Sequence, residues 1–184
     1  MELMQAIRNR RSIRQFKPDP VNEGDIEAVM EAARLAPSWA NTQCWKFVIV
    51  REPKTRELLA ETCGTANRGN AAIKSAPLLI AACAELGKSG YIRDQAGSDK
   101  GEWYMFDIAM AVHNLTLVAY SLGLGTLHIG WFDAKKAAEI LQVPQNAVVV
   151  ELMPLGYPAG EVNPTPRKEL AEILYYEKYG NTQK

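Results

Sequence analysis

Apolar residues recur at helical spacing in several stretches of the chain. Asn22 is a favourable N-cap residue for the second of these stretches, and Pro37 follows its end. Pro53 suits the first turn of a helix, and Asp133 suits the position just before one. We predict helices over residues 3–8, 23–36, 53–63, 133–141 and 167–179.

Compact apolar runs rich in β-branched residues predict buried strands over residues 45–50, 77–83 and 147–155. The strands and helices are scattered along the chain, and neither an internal repeat nor a linker interrupts them. Its length of 184 residues suits one domain with a full hydrophobic core. We therefore predict a single α+β domain over residues 1–184, with a sheet flanked by helices.

The longest apolar stretch covers residues 103–122 and is apolar on nearly every side. Its length would allow a membrane span, but Asp107, His113 and Asn114 within it would make that costly. A helix that is hydrophobic all round is typical of the centre of a fold. Because a chain of this size has little else to cover such a helix, we expect a homodimer.

The composition argues against several classes of function. With 21 basic and 21 acidic residues, the chain has no broad basic face for nucleic acid. Three cysteines without C-x-x-C spacing and only two histidines argue against a zinc or di-iron site, so we expect no metal. No G-x-S-x-G sequence indicates a hydrolase. Since no cationic stretch precedes an apolar core at the start, we expect a cytoplasmic protein with reduced thiols.

A basic cluster near the start of the chain comprises Arg10, Arg11, Ser12 and Arg14. Guanidinium groups match phosphate oxygens two at a time, so a phosphate or another compact dianion would suit this cluster. Because the net charge is zero, a small phosphorylated ligand is favoured over nucleic acid. The alternative is a solvated helix end, where the helix dipole favours cations.

A polar segment over residues 37–43 lies between a predicted helix and a predicted strand. Its hydroxyl and amide groups can bind the edge of a flat heteroaromatic ring, although an ordinary polar turn has the same composition. Gly123, Gly125 and Gly130 would let the backbone approach a ligand, or would cap a helix before a buried strand. Arg167 lies where a helix is predicted to begin, which is unfavourable for a cation unless an anion is present.

In this order and spacing, the four segments resemble those of the nitroreductase family of flavin mononucleotide (FMN) oxidoreductases. The motifs that carry the resemblance are Arg10-Arg11-Ser12-x-Arg14-x-Phe16, Pro37-Ser38-x-x-Asn41-x-Gln43-x-Trp45, the Gly-Leu-Gly run, Ile129-Gly130 and Leu155-Gly156-Tyr157-Pro158. Cys44 departs from the pattern, since the family commonly has proline there. The resemblance implies a central mixed, mainly antiparallel sheet and an intertwined homodimer.

The resemblance also implies an FMN site in the dimer interface, with residues from both subunits. The FMN-binding residues that it implies are Arg10, Arg11, Ser12, Arg14, Pro37, Ser38, Asn41, Gln43, Asn70, Ile129, Gly130 and Arg167. The basic cluster and Arg167 would hold the phosphate, and Arg14 would lie at the flavin ring. The polar segment would come from the partner subunit, and the backbone of Gly130 would face the flavin N5 atom.

The implied activity is hydride transfer from NADH or NADPH, through the flavin, to a nitroaromatic, quinone, enone or flavin acceptor in a ping-pong cycle. The flavin carries the chemistry, so no catalytic side chain is expected, and His128 is interpreted as a packed strand residue. Residues 86–102 would form a lid loop, and the C-terminal segment 160–184 would wrap around the partner subunit. The alternatives are specialised chemistry on the same fold, as in a reductive dehalogenase or dehydrogenase, and a non-catalytic flavin-binding dimer.

Overall fold

A four-stranded antiparallel sheet forms the centre of the computed structural model, which describes residues 1–64 and 66–183. The strands in chain order are β1 (Trp45–Val50), β2 (Leu78–Glu85), β3 (Tyr91–Ile92), β4 (Gln95–Ala96), β5 (Gly125–Thr126) and β6 (Ala147–Gly156). The central sheet has the spatial order β1-β2-β6-β5, and β3 and β4 form a separate hairpin. Strand β2 is paired on both sides and almost wholly buried, which explains its continuous apolar sequence.

Within the described residues, six α-helices surround the sheet. They are α1 (Leu3–Asn9), α2 (Glu23–Arg34), α3 (Pro53–Glu61), α4 (Arg68–Ser75), α5 (Tyr104–Ser121) and α6 (Ala134–Leu141), with short 3₁₀ helices at Trp39–Asn41 and Leu170–Glu172. Side-chain caps fix four of the starts: Asn22, Glu52, Asn67 and Asp133 each accept a backbone N–H from the first turn that follows.

The side chains of β2 alternate between two cores, one on each face of the sheet. Ile80 and Ala82 pack in the core that α2 and α5 cover, whereas Leu79 and Ala81 pack in the core that α3, α4 and α6 cover. The predicted α+β fold, with a mainly antiparallel sheet flanked by helices, is therefore confirmed. An isolated parallel bridge between Ser12 and Thr126 makes the strand pairing mixed rather than purely antiparallel.

The helix predicted over residues 167–179 is wrong. Only Leu170–Glu172 is helical, as one 3₁₀ turn. Leu170 and Ile173 are exposed, so these apolar side chains are not packed against the described part of the chain, and an isolated helix of this length is not stable in water. The predicted C-terminal segment 160–184 ends at Lys184, which lies outside the described residues.

The sequence analysis predicted neither α4 nor the hairpin of β3 and β4 inside residues 86–102, and it gave the strand at β5 only as one alternative. Helix α5 lies where a helix was predicted, but it covers the sheet with one face and leaves Met105 and Phe106 exposed. Over the described part of the chain, none of the helices has both the length and the apolar character that crossing a membrane requires.

Candidate functional site

The basic segment that follows α1 runs beside strand β5. The N–H of Ile13 donates to the carbonyl of Thr126 at 2.9 Å, next to the bridge that Ser12 makes with the same residue. A Cβ added to Gly125 would lie 2.5 Å from Cγ1 of Ile13. Only glycine allows this approach, which fixes Ser12 and Arg14 at the edge of the sheet.

Three guanidinium groups share one region of positive charge. Arg10 and Arg11 line a cavity of about 320 Å³ between α5 and β5. Partial burial lowers the pKa of Arg10, and the neighbouring charges of Arg11 and Arg167 lower it further. Within residues 1–64 and 66–183, none of the three forms an ion pair with a carboxylate. Glu161 also lines this cavity without pairing with them, so these guanidiniums can bind a dianion such as a phosphate.

The hydrogen bonds of these arginines within the described chain leave donors for a ligand. Nη1 of Arg11 donates to the carbonyls of Arg8 and Arg10, each at 2.8 Å. Nη1 of Arg167 donates to Oγ1 of Thr165 at 2.8 Å. A guanidinium has five N–H donors, so the remaining ones can bind an anion in both cases.

Arg14 borders two further cavities. One of about 390 Å³ is also lined by Ser12, and the other, of about 310 Å³, is also lined by Ile129 and Gly130. Arg68, at the first position of α4, lines both of these cavities as well. The structure thus brings together the basic cluster and residues 129–130 in one continuous region, and it adds an arginine that the sequence analysis missed.

Asn70 does not line any of these cavities. Its Nδ2 donates to the carbonyl of Ala60 at 2.8 Å and so ties α4 to α3. The cavity wall is formed instead by Asn67 and Arg68, at the start of the same helix. The sequence does contain a signal for this start, because Asn67 is a good N-cap residue, but the apolar pattern of α4 is only two turns long.

The polar segment 37–43 presents Asn41 and Gln43 to solvent on a strained backbone. Ala40, Asn41 and Gln43 have φ values of 45°, 57° and 48°, in the left-handed region that non-glycine residues rarely adopt. The N–H of Gln43 donates to Oγ of Ser38 at 3.0 Å, and its Nε2 donates to Oδ1 of Asn41 at 3.1 Å. No residue of this segment, Pro37 included, lines the three cavities, so one chain does not bring it to the arginines.

His128 lies on the wall of the third cavity with its side chain 38% exposed. Nδ1 is 2.6 Å from Oε1 of Glu151, and Nε2 is 3.3 Å from Oγ1 of Thr116. The interpretation of His128 as a packed strand residue is therefore wrong, because its ring is oriented by these two groups at the edge of an open cavity.

Comparison with known proteins assigns the family. The model of the nitroreductase family matches residues 7–157. The chain belongs to the nitroreductase family. An NADH dehydrogenase of Thermus thermophilus is 31% identical and aligns over 93% of this chain and 94% of its own. The crystal structure of a nitroreductase family protein of Clostridium novyi is 31% identical, has a TM-score of 0.78, and aligns over 98% of this chain and 96% of its own.

Membership of the nitroreductase family confirms both the predicted family and the prediction of an oxidoreductase. A relative from Bacillus subtilis, an FMN reductase [NAD(P)H], is 25% identical and aligns over 98% of this chain and 75% of its own. Its name agrees with the cofactor and the co-substrate that the sequence predicted.

Proposed function

We propose that this protein binds FMN at the cavities bordered by Arg10 and Arg14 and uses NADH or NADPH to reduce an electron-poor acceptor. Nitroaromatics, quinones, enones and free flavin are the acceptor classes that suit such a site. When bound, FMN would take up a hydride from the nucleotide and pass electrons to the acceptor in a ping-pong cycle. The observation that carries the proposal is the group of guanidiniums that lines this region and forms no ion pair with a carboxylate among the described residues.

The residues at one end fit the phosphate of FMN. Arg10 is partly buried and lies close to Arg11 and Arg167, so like charges are held together without an internal anion. Such repulsion is relieved when a dianion binds. Ser12, at the end of the same segment, adds a hydroxyl that can donate to a phosphate oxygen. These residues would hold the phosphate while the cavity excludes part of the surrounding water.

The residues at the other end fit a flat polar ring. Arg14 borders the two neighbouring cavities, and residues 129–130 give one of them a backbone wall. A fixed guanidinium stabilises negative charge that appears on a ring when it is reduced, and it does so without reorganisation. We therefore assign Arg14 the role of favouring the reduced cofactor over the oxidised one.

The proposed active protein is an intertwined homodimer. The polar segment 37–43 lies outside the cavities of its own chain, whereas the C-terminal segment exposes Leu170, Ile173 and Leu174. Exposed apolar side chains in such number mark an interaction surface. A second subunit would cover this surface and add its polar segment to the FMN site. The free cysteines Cys44, Cys63 and Cys83 suit a cytoplasmic setting for this dimer.

The test is the visible absorption spectrum of the purified protein after FMN addition, recorded without oxygen before and after NADH or NADPH is added. Flavin bands that bleach would support the proposal and identify the better electron donor. Return of the bands on addition of a quinone or a nitroaromatic would identify the acceptor class. A protein that does not bind FMN would overturn the proposal. Bands that persist with both nucleotides would limit the function to FMN binding.

A further inference from the structure

The carboxylate of Asp107 is completely buried in the first turn of α5 and joins three parts of the chain. Oδ1 accepts the backbone N–H of Trp39 at 2.8 Å, and Oδ2 accepts the hydroxyl of Ser89 at 2.6 Å. Trp39 belongs to the polar segment 37–43, and Ser89 belongs to residues 86–102. One side chain therefore contacts both the polar segment 37–43 and residues 86–102.

Two weaker donors complete the surroundings of Asp107. Oγ1 of Thr42 lies 3.4 Å from Oδ2, and Sγ of Cys44 lies 3.6 Å from the same oxygen. Burial raises the pKa of Cys44 to about 12, and the charge of Asp107 contributes to this shift, so the thiol keeps its proton and remains a donor. Among the described residues no cation pairs with Asp107. Burying a carboxylate costs free energy unless hydrogen bonds satisfy it. The position of the Asp107 carboxylate therefore depends on its four donors, and the positions of the donors depend on the carboxylate.

Asp107 holds the stretch of backbone in segment 37–43 that has left-handed φ values. The left-handed residues Ala40, Asn41 and Gln43 lie between Trp39 and Cys44, which are both bonded to the carboxylate. Consecutive non-glycine residues in this region persist only when their surroundings fix them. The carboxylate of Asp107 therefore determines where the side-chain amides of Asn41 and Gln43 point.

Residues 86–102, which contain the hairpin of β3 and β4, are held by the same carboxylate of Asp107. Ser89 is fully buried, and its carbonyl accepts the N–H of Trp103 at 3.0 Å. Further along the hairpin, Gly97 packs on the ring of Trp39 so closely that a Cβ would lie 2.8 Å from Cζ2. Residues 86–102 thus contact the polar segment directly where Gly97 meets the ring of Trp39, and indirectly through Asp107, which accepts from both Ser89 and Trp39.

We propose that Asp107 is a positioning residue that holds Asn41 and Gln43 in their binding conformation and docks the 86–102 hairpin beside them. The inference rests on the proposed function, because it assigns these amides to the flavin ring of the partner subunit. It makes FMN affinity depend on a side chain that does not itself reach the cavities.

The test compares Asp107→Ala, Asp107→Asn and Ser89→Ala in the full-length protein. Asn114→Ala is the control, because it removes a side-chain hydrogen bond from α5 to the carbonyl of Ala32 on α2 and leaves both segments alone. FMN dissociation constants and amide hydrogen exchange of residues 39–43 are measured for each variant. Hydrogen exchange reports the loop directly, so it remains informative even if wild-type protein binds no FMN.

We expect Asp107→Ala to raise the FMN dissociation constant by about tenfold or more and to speed exchange at Trp39 and Gln43 to a similar degree. Asp107→Asn keeps an acceptor for the N–H of Trp39 but puts a donor where Oδ2 accepts from Ser89 and Thr42, so it should keep the protection of Trp39 and lose that of Thr42 and Gln43. Ser89→Ala releases only the hairpin, so it should raise the KM for the acceptor while the FMN dissociation constant stays within about twofold of wild type.

Equal FMN affinity and equal exchange in Asp107→Ala and Asn114→Ala would overturn the inference. If Asp107→Ala does not fold, Asp107→Asn decides by the same two measurements, since unchanged exchange at Thr42 and Gln43 would also overturn it. Failure of wild-type protein to bind FMN would overturn the proposed function alone, and the exchange data would still decide whether Asp107 fixes the loop.

Discussion

The side-chain amide of Asn67 donates to the backbone carbonyl of Trp131 at 2.6 Å and so joins the start of α4 to the chain just after Gly130. The same side chain caps α4, because its Oδ1 accepts the N–H of Gly69 at 2.9 Å. Trp131 is 73% exposed and gains little from packing, so this bond holds the segment between the backbone bonds of Ile129 with Leu152 and of Asp133 with Thr62. Asn67 thereby sets the shape of the cavity that Arg14 borders.

Asn67→Ala should lower the free energy of unfolding by about 1–2 kcal/mol, since it removes both a helix cap and a hydrogen bond to a carbonyl. Asn67→Ser keeps a capping oxygen but cannot reach Trp131, so it should recover part of the stability and little of the FMN affinity. Urea unfolding and FMN titration of the two variants separate the roles. Equal FMN affinity in all three proteins would show that the bond to Trp131 does not shape the site.

Local signals made much of this fold predictable. The strand over residues 45–50 was predicted with its observed limits, because β-branched and aromatic residues follow a clear break after Pro37. Helix α2 was predicted from its cap, Asn22, and ends two residues earlier than expected. Strand β2 could be recognised because burial on both faces makes its sequence continuously apolar.

The elements that could not be predicted depend on contacts distant in sequence. Helix α4 has few apolar positions, and its location is set by Asn67 and by the bond from Asn70 to Ala60. The charge cluster likewise joins Arg10 to Arg167 across nearly the whole chain, and composition carries no signal for that. Only the resemblance to a known family predicted that Arg10 and Arg167 lie at the same phosphate. The residue pattern alone left open that the basic cluster is a solvated helix end.

Gly97→Ala should displace the hairpin from the polar segment, because the added Cβ would lie 2.8 Å from Cζ2 of Trp39. The carbonyl of Gly90 lies 3.3 Å away on another side and limits the alternatives. We expect a change in the fluorescence of Trp39 and a higher KM for the acceptor. The matched variant Gly97→Ala/Trp39→Phe lacks the clashing ring atoms and should regain the wild-type KM. If it is as impaired as Gly97→Ala, the clash is not the cause.

Arg10→Ala combined with Ser12→Ala should weaken FMN binding by about 100-fold, since hydrogen bonds to charged groups contribute about 1.5–3 kcal/mol each. Arg167→Ala should weaken it by about tenfold, because the same anion would lose one of its partners. Lys168→Ala is the control, because it removes a neighbouring charge, whereas Arg167 is the one of the two whose charge lowers the pKa of Arg10. Equilibrium dialysis at low and high salt measures the effects. Retention of FMN by the double variant would contradict the phosphate assignment.

Stability should fall as the pH rises above about 9. Burial raises the pKa of Cys83 to about 11 and that of Cys44 to about 12, whereas an unfolded thiol titrates near about 8.5. Between these values the unfolded chain loses protons that the folded chain keeps, so a rise in pH favours unfolding. The stabilising contribution is complete below the unfolded pKa. Between about pH 8 and about pH 10, the free energy of urea unfolding should fall less for Cys83→Ala than for wild type. An equal fall in both proteins would contradict the raised pKa of Cys83.

Gly125→Ala tests the approach between β5 and the basic segment. The added Cβ would lie 2.5 Å from Cγ1 and 2.8 Å from Cβ of Ile13, and neither atom is the free end of a flexible side chain. The segment must move away from β5, which breaks the 2.9 Å bond from Ile13 to Thr126 and shifts Ser12 and Arg14 together.

We expect Gly125→Ala to lower the free energy of unfolding by about 1–3 kcal/mol, the usual cost of overpacking a core. Because the phosphate-binding and ring-binding groups lie on the displaced segment, FMN affinity should fall as well. Gly160→Ala is the control for stability, because its Cβ would meet no atom within 4 Å, and its effect should stay within about 0.5 kcal/mol. A loss of stability with FMN affinity unchanged would mean that the segment can shift without moving the site, and the assignment of Ser12 and Arg14 to the cofactor would then be wrong.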